Sequence, residues 1–248
     1  MRDVLALLAA GTGTALATGV GAIPVFLLGD RAVALRPALW GFAAGAMGVA
    51  SILGLLQPAL DEGSPATVAA GVALGVAFVL AGRRFLSSPH ERADALLTRR
   101  LSRGSVLVFV VLLVHSLPEG FAIGTAYASS TAGLGVFVIA AIALQNVPEG
   151  TTMAIPMEAA GASRSRQFWT AVATSLPQPV GAVIAYLLVE QVRGLLAVSF
   201  AFAAGAMLAL IVIELLPAAF TRGTWGWATL GVVSGALVLA LLSLVLGV

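Results

Sequence analysis

The sequence predicts an all-α, polytopic membrane protein with eight transmembrane helices, and three observations predict it. Hydrophobic residues make up 60% of the 248-residue chain. Charged residues make up 10%, against about 25% in soluble domains, and the mean hydropathy is +1.05. A soluble chain of this length must still cover its surface with polar groups, so water is not the main solvent. Third, the apolar stretches between charges reach the roughly 20 residues that cross a hydrocarbon layer of about 30 Å.

Taken in order, charges and Pro/Gly clusters mark spans at about residues 4–28, 37–60, 66–81, 105–129, 134–157, 168–190, 195–220 and 225–248. The first could be mistaken for a signal peptide, but its apolar run continues to Leu28 without a clear cleavage site, so it reads as a retained span. The third is short and could extend to Leu86. The thirteen basic residues are all arginines. Eleven fall in the loops after spans one, three, five and seven, and only Arg2 and Arg193 fall on the opposite side. The positive-inside rule makes the arginine-rich side cytoplasmic. It places both termini on the extracytoplasmic side of a cell inner (plasma) membrane and favours an even number of spans. The whole of residues 1–248 reads as one transmembrane domain with a cytoplasmic loop at about 83–104. His90, beside Glu91 and Asp94 in that loop, reads as part of a solvated segment rather than a metal site.

The pI near 9.9 does not indicate nucleic acid, because no basic patch interleaved with aromatics accompanies it. The absence of cysteine excludes disulfides, thiolate ligands and cysteine nucleophiles. Phe42-Ala43-Ala44-Gly45-Ala46-Met47 in span two recurs as Phe202-Ala203-Ala204-Gly205-Ala206-Met207 in span seven. Under the predicted topology the copies run in opposite directions. Spans one to three and six to eight then form an inverted repeat around spans four and five, an arrangement common in transporters.

Ionisable groups inside a bilayer are costly and mark functional sites. Glu158 and Glu190 lie near span ends, where they can reach the interface. Deeper in the spans stand His115-Ser116-Leu117-Pro118-Glu119-Gly120 and Gln145-Asn146-Val147-Pro148-Glu149-Gly150, two copies of one pattern thirty residues apart. Each sets a ligand-type residue four positions before a glutamate, on one helical face. Each proline frees a backbone carbonyl four residues earlier, which predicts a kink. Such polar irregularity needs burial against protein or a water-filled cavity, so the two faces are expected to converge. His115, Glu119, Gln145 and Glu149 then offer an imidazole, two carboxylates and an amide oxygen. Two carboxylates repel in a low dielectric, and a divalent cation between them removes the repulsion. Mixed nitrogen and oxygen donors suit zinc, with iron, manganese and other divalent transition ions close behind. The expected function is transport of such an ion. An intramembrane metalloenzyme or a proton-handling permease using the same glutamates is the alternative, although no HExxH helix is present.

At these two motifs the chain resembles the ZIP (Zrt/Irt-like) family of divalent metal transporters, nearest its bacterial GufA-type branch. His115, Pro118, Glu119 and Gly120 match the family's span-four pattern. Gln145, Asn146, Pro148, Glu149 and Gly150 match that of span five. The resemblance implies zinc uptake toward the cytoplasm by alternating access, with Cd2+, Fe2+ or Mn2+ as other cargo, no prosthetic group and no enzyme activity. It implies a site where spans two, four, five and seven meet, with those helices moving against the rest. It also implies Met47 and Asp61 on the outer approach and Glu214 near the cytoplasmic exit. Ser116, Asn146 and Gln178 stand where binuclear members carry second-site ligands. Gln178 replaces a glutamate, so a second metal is expected to bind weakly or not at all. The implied partners are divalent metal ions and the lipid bilayer, with a homodimer left open.

Overall fold

A computed structural model describes residues 1–86 and 103–248; His90, Glu91 and Asp94 lie outside the described residues. Among the described residues the regular structure is helical throughout. Eight helices are long and apolar enough to cross a membrane. They are span one Arg2–Leu28, two Arg31–Glu62, three Pro65–Arg84, four Phe109–Ala128, five Leu134–Ala159, six Arg164–Gln191, seven Arg193–Ala219 and eight Trp225–Leu246.

Several spans are longer than charge punctuation predicts. A 3-10 segment, Gly29–Leu35, leads into span two, whose α-helix starts at Arg36 because Pro37 falls at the helix start, where its missing N–H is harmless. Span six begins at Arg164, where the Ser163 hydroxyl accepts from the Arg166 N–H. It breaks after Thr174 and resumes at Pro177. Spans two and seven each contain a π-helical turn, Ile52–Leu56 and Ile211–Leu215. In these turns Gln57 N–H bonds Ile52 and Leu216 N–H bonds Ile211, five residues back. Pro58 and Pro217 follow directly. A proline ring collides with the carbonyl four residues earlier, and one widened turn relieves that collision without ending the helix.

The spans pack in pairs: two with eight, three with seven, four with six, and one with five and six. Two and eight meet backbone to backbone through Gly41, Gly45, Gly231 and Gly235. Three and seven meet through Gly71, Gly75 and Gly205. Small residues allow this close approach, which gives dispersion contacts where lipid supplies no hydrophobic drive between helices. Span two then lies against five, and seven against four. Span seven is the most interior, 72% buried over its apolar window, whereas three and eight are 22% buried and turn apolar side chains outward. Trp169, Trp225 and Trp227 are exposed at the starts of spans six and eight, the position aromatic side chains favour at a membrane interface.

Candidate functional site

Spans four and five stay helical through Pro118 and Pro148, because one lost backbone bond does not terminate a long helix. The glycine after each glutamate has a packing reason. A methyl group on Gly120 would strike the Gln178 carbonyl, and one on Gly150 would strike the Thr18 carbonyl. These two positions let spans six and one press their backbones against the motif helices. Gln178 reaches Glu119 for this reason.

The result is a buried amide–carboxylate cluster. Glu119 Oε1 accepts from Gln145 Nε2 at 2.8 Å, and Oε2 accepts from Gln178 Nε2 at 2.7 Å. The same Gln178 nitrogen donates to Asn146 Oδ1 at 3.2 Å. Gln178 Oε1 accepts from the Thr14 hydroxyl at 2.7 Å and from Asn146 Nδ2 at 3.1 Å. Asn146 Nδ2 also donates to the Thr14 carbonyl at 2.7 Å. Ser116 donates its hydroxyl to the carbonyls of Leu112 and Thr174, and the Thr18 and Ser175 hydroxyls bond each other. These bonds tie together spans one, four, five and six. Thr14, Thr18, Thr174 and Ser175 are site-forming residues that sequence reasoning missed. Their signal was faint, since Thr14 and Thr18 are one turn apart on a helix that also carries Thr12.

Three predicted ligands each present a buried atom with no hydrogen-bond partner: His115 Nε2, Gln145 Oε1 and Glu149 Oε1. His115 Nδ1 lies 2.7 Å from the Val111 carbonyl, a contact that fixes the proton on Nδ1 and leaves Nε2 as a lone pair. Glu149 lies near enough to Glu119 for the two carboxylates to interact electrostatically. Buried polar atoms in proteins are normally satisfied, and three of the unpartnered ones among the described residues belong to this one predicted set. Among the described residues no three His, Asp or Glu side chains form a ready-made metal cage. Amides hold both oxygens of Glu119, and His115 leans toward span seven. There its Nε2 lies 3.9 Å from Glu214 Oε2, while Arg83 Nε lies 3.6 Å from Glu214 Oε1. The structure thus joins Glu119, Gln145, Asn146 and Gln178 by hydrogen bonds, keeps Glu149 close, and links His115 to Glu214. Met47 is fully buried in span two and Asp61 is exposed near that span's end. Glu190 pairs with Arg193 and Glu158 accepts from Gln167, as befits carboxylates at span ends. Chemically, the buried side chains of spans four and five supply one imidazole nitrogen and several oxygens, donor types that suit a divalent transition ion, with no thiolate among them.

The chain matches the family model described as ZIP Zinc transporter over residues 82–243. It is 34% identical to Zinc transporter GufA of Myxococcus xanthus, covering 98% of this chain and 98% of that protein. It is 34% identical to Zinc transporter ZIPB of Bordetella bronchiseptica, over 93% of this chain and 78% of that one. With Zinc transporter ZupT of Corynebacterium glutamicum the identity is 31%, over 91% and 93%. Against a longer relative from Arabidopsis thaliana, 32% identical over 85% of this chain, the chain spans 34% of that protein's length.

Proposed function

This chain belongs to the ZIP family of zinc transporters, and from that premise we propose that zinc passes through a mid-membrane site of His115, Glu119, Gln145 and Glu149. The protein is a multi-pass membrane transporter of divalent zinc and not an enzyme. The observation that carries the site is the set of unpartnered atoms His115 Nε2, Gln145 Oε1 and Glu149 Oε1, all buried beside Glu119 or one helical turn from it. In this reading a bound ion supplies a partner that these atoms lack and offsets the repulsion between the two carboxylates.

One ion occupies this site. In a binuclear site a carboxylate would stand where Gln178 stands, and here its amide nitrogen instead points at Glu119 and Asn146. A donor nitrogen repels a cation from that position, and Ser116 turns its hydroxyl proton to Thr174. Zinc enters past Asp61 and Met47, moves inward and leaves past Glu214, with both termini outside an inner (plasma) membrane. Cadmium, iron and manganese share the donor chemistry. The chain works as one transmembrane domain, with a homodimer as the assembly to test.

Alternating access follows from the grouping of polar contacts. Spans one, four, five and six are laced to one another by buried side-chain hydrogen bonds, and none of these bonds reaches spans two, three, seven or eight. The first group therefore moves as a unit against the second, a different division from movement of spans two, four, five and seven together. The repeat supports this reading. Exchanging spans one with six, two with seven, three with eight and four with five maps the observed pair two–eight onto seven–three, and four–six onto five–one. The two π-helical turns exchange as well.

Zinc uptake into proteoliposomes tests the site. Glu119→Ala and Glu149→Ala are each expected to abolish uptake while the protein still purifies as a folded species. Wild-type rates in either variant would place the pathway elsewhere. The same assay with competing cadmium, iron and manganese ranks the cargo.

A further inference from the structure

Glu214 sits in the π-helical turn of span seven, near the end that the arginine count assigns to the cytoplasm. Its carboxylate is shared. One oxygen faces His115 Nε2 across the seam between the two groups of spans, at 3.9 Å, and the other faces Arg83 Nε from span three, at 3.6 Å. Glu214 is largely buried at 16% side-chain exposure, whereas Arg83 is half-exposed at 48%. The imidazole belongs to the group laced to the proposed zinc site. The guanidinium belongs to the same group as Glu214 itself.

We propose that Arg83 is a positioning residue for zinc release: a tethered cation that competes with the departing ion for Glu214 and keeps the exit carboxylate from becoming a trap. The inference rests on the reading that zinc passes from His115 to Glu214. A lone buried carboxylate facing an imidazole would bind zinc well, and a carrier that binds its cargo well at the exit turns over slowly. A guanidinium cannot lose its charge in a protein. It therefore competes for Glu214 at every turn of the cycle. Arg83 touches cargo in no step; it acts through Glu214.

The test is zinc uptake kinetics in proteoliposomes of the full chain, with Arg83→Gln, Arg83→Lys, Glu214→Gln and the double variant Arg83→Gln/Glu214→Gln. Arg83→Gln is expected to lower kcat about fivefold, the upper end of what a half-exposed ion pair supplies, and to lower KM with it, because slower release deepens apparent binding. Arg83→Lys should restore most of kcat. In the Glu214→Gln background, removing Arg83 should change nothing further. A raised KM in Arg83→Gln, equal impairment in Arg83→Lys, or a persisting effect in the double variant would show a merely structural role and overturn the proposal. If Glu214→Gln alters uptake and Arg83→Gln does not, the release role fails and the pathway stands. If Glu214→Gln transports as wild type, the pathway reading itself fails and the role goes with it.

Discussion

Replacing Gln178 with alanine separates a ligand from a support. The side chain donates to Glu119 Oε2 at 2.7 Å and to Asn146 Oδ1 at 3.2 Å, and accepts from Thr14 and Asn146. Thr14 and Asn146 keep other partners, since the Thr14 hydroxyl also reaches the Gly11 carbonyl and Asn146 also reaches that of Thr14. The cost falls on Glu119, which loses a hydrogen bond to a buried carboxylate oxygen worth roughly 1.5–3 kcal/mol, and on Asn146 Oδ1, which loses its donor. The vacated side-chain volume adds to it. Zinc bound at the site would take up the freed oxygen, so the zinc-loaded variant should suffer less than the metal-free one. The assay is thermal unfolding in detergent, with metal chelated and with zinc in excess, alongside elemental analysis of bound zinc and proteoliposome uptake. Gln178→Ala should lower the metal-free unfolding midpoint, recover much of the loss with zinc, keep one zinc per chain and change uptake little. An unchanged metal-free midpoint would refute the claim that the amide supports Glu119. Lost zinc occupancy would show that Gln178 is a ligand.

Three further outcomes follow from other contacts. Gly120→Ala places a methyl against the Gln178 carbonyl and should destabilise the protein by about 1–3 kcal/mol, measurable by unfolding, with loss of uptake as spans four and six part; a wild-type midpoint would contradict the packing. His115→Ala removes the imidazole nitrogen and should weaken zinc binding at least tenfold by titration calorimetry, whereas His115→Gln, with an oxygen donor, should recover part of it. The chain has no cysteine, so single cysteines report sidedness directly: Thr221→Cys should react with an impermeant maleimide only from the cytoplasm, and Ser130→Cys only from outside. Reversed labelling would invert the topology.

Much of this protein was written locally. Solvent and helix count followed from composition, because in hydrocarbon each spanning segment must satisfy its own backbone; eight helices result whatever their neighbours are. The duplicated Pro-Glu-Gly motifs were equally legible, because a carboxylate buried in an apolar run is rare enough to stand out. Span ends were less so. Charge punctuation shortened span six, where the Ser163 cap sets the start and the Pro177–Pro179 pair forces a break.

Only the tertiary structure decided which polar groups satisfy one another. Nothing in the motif itself says that Gln178 rather than a metal holds the second oxygen of Glu119, that Thr14 completes the amide cluster, or that Arg83 and His115 share Glu214. Those contacts join residues from different spans, and they depend on how closely two backbones approach. That distance is set by which glycines face each other across a helix pair, a property of packing that no single segment contains.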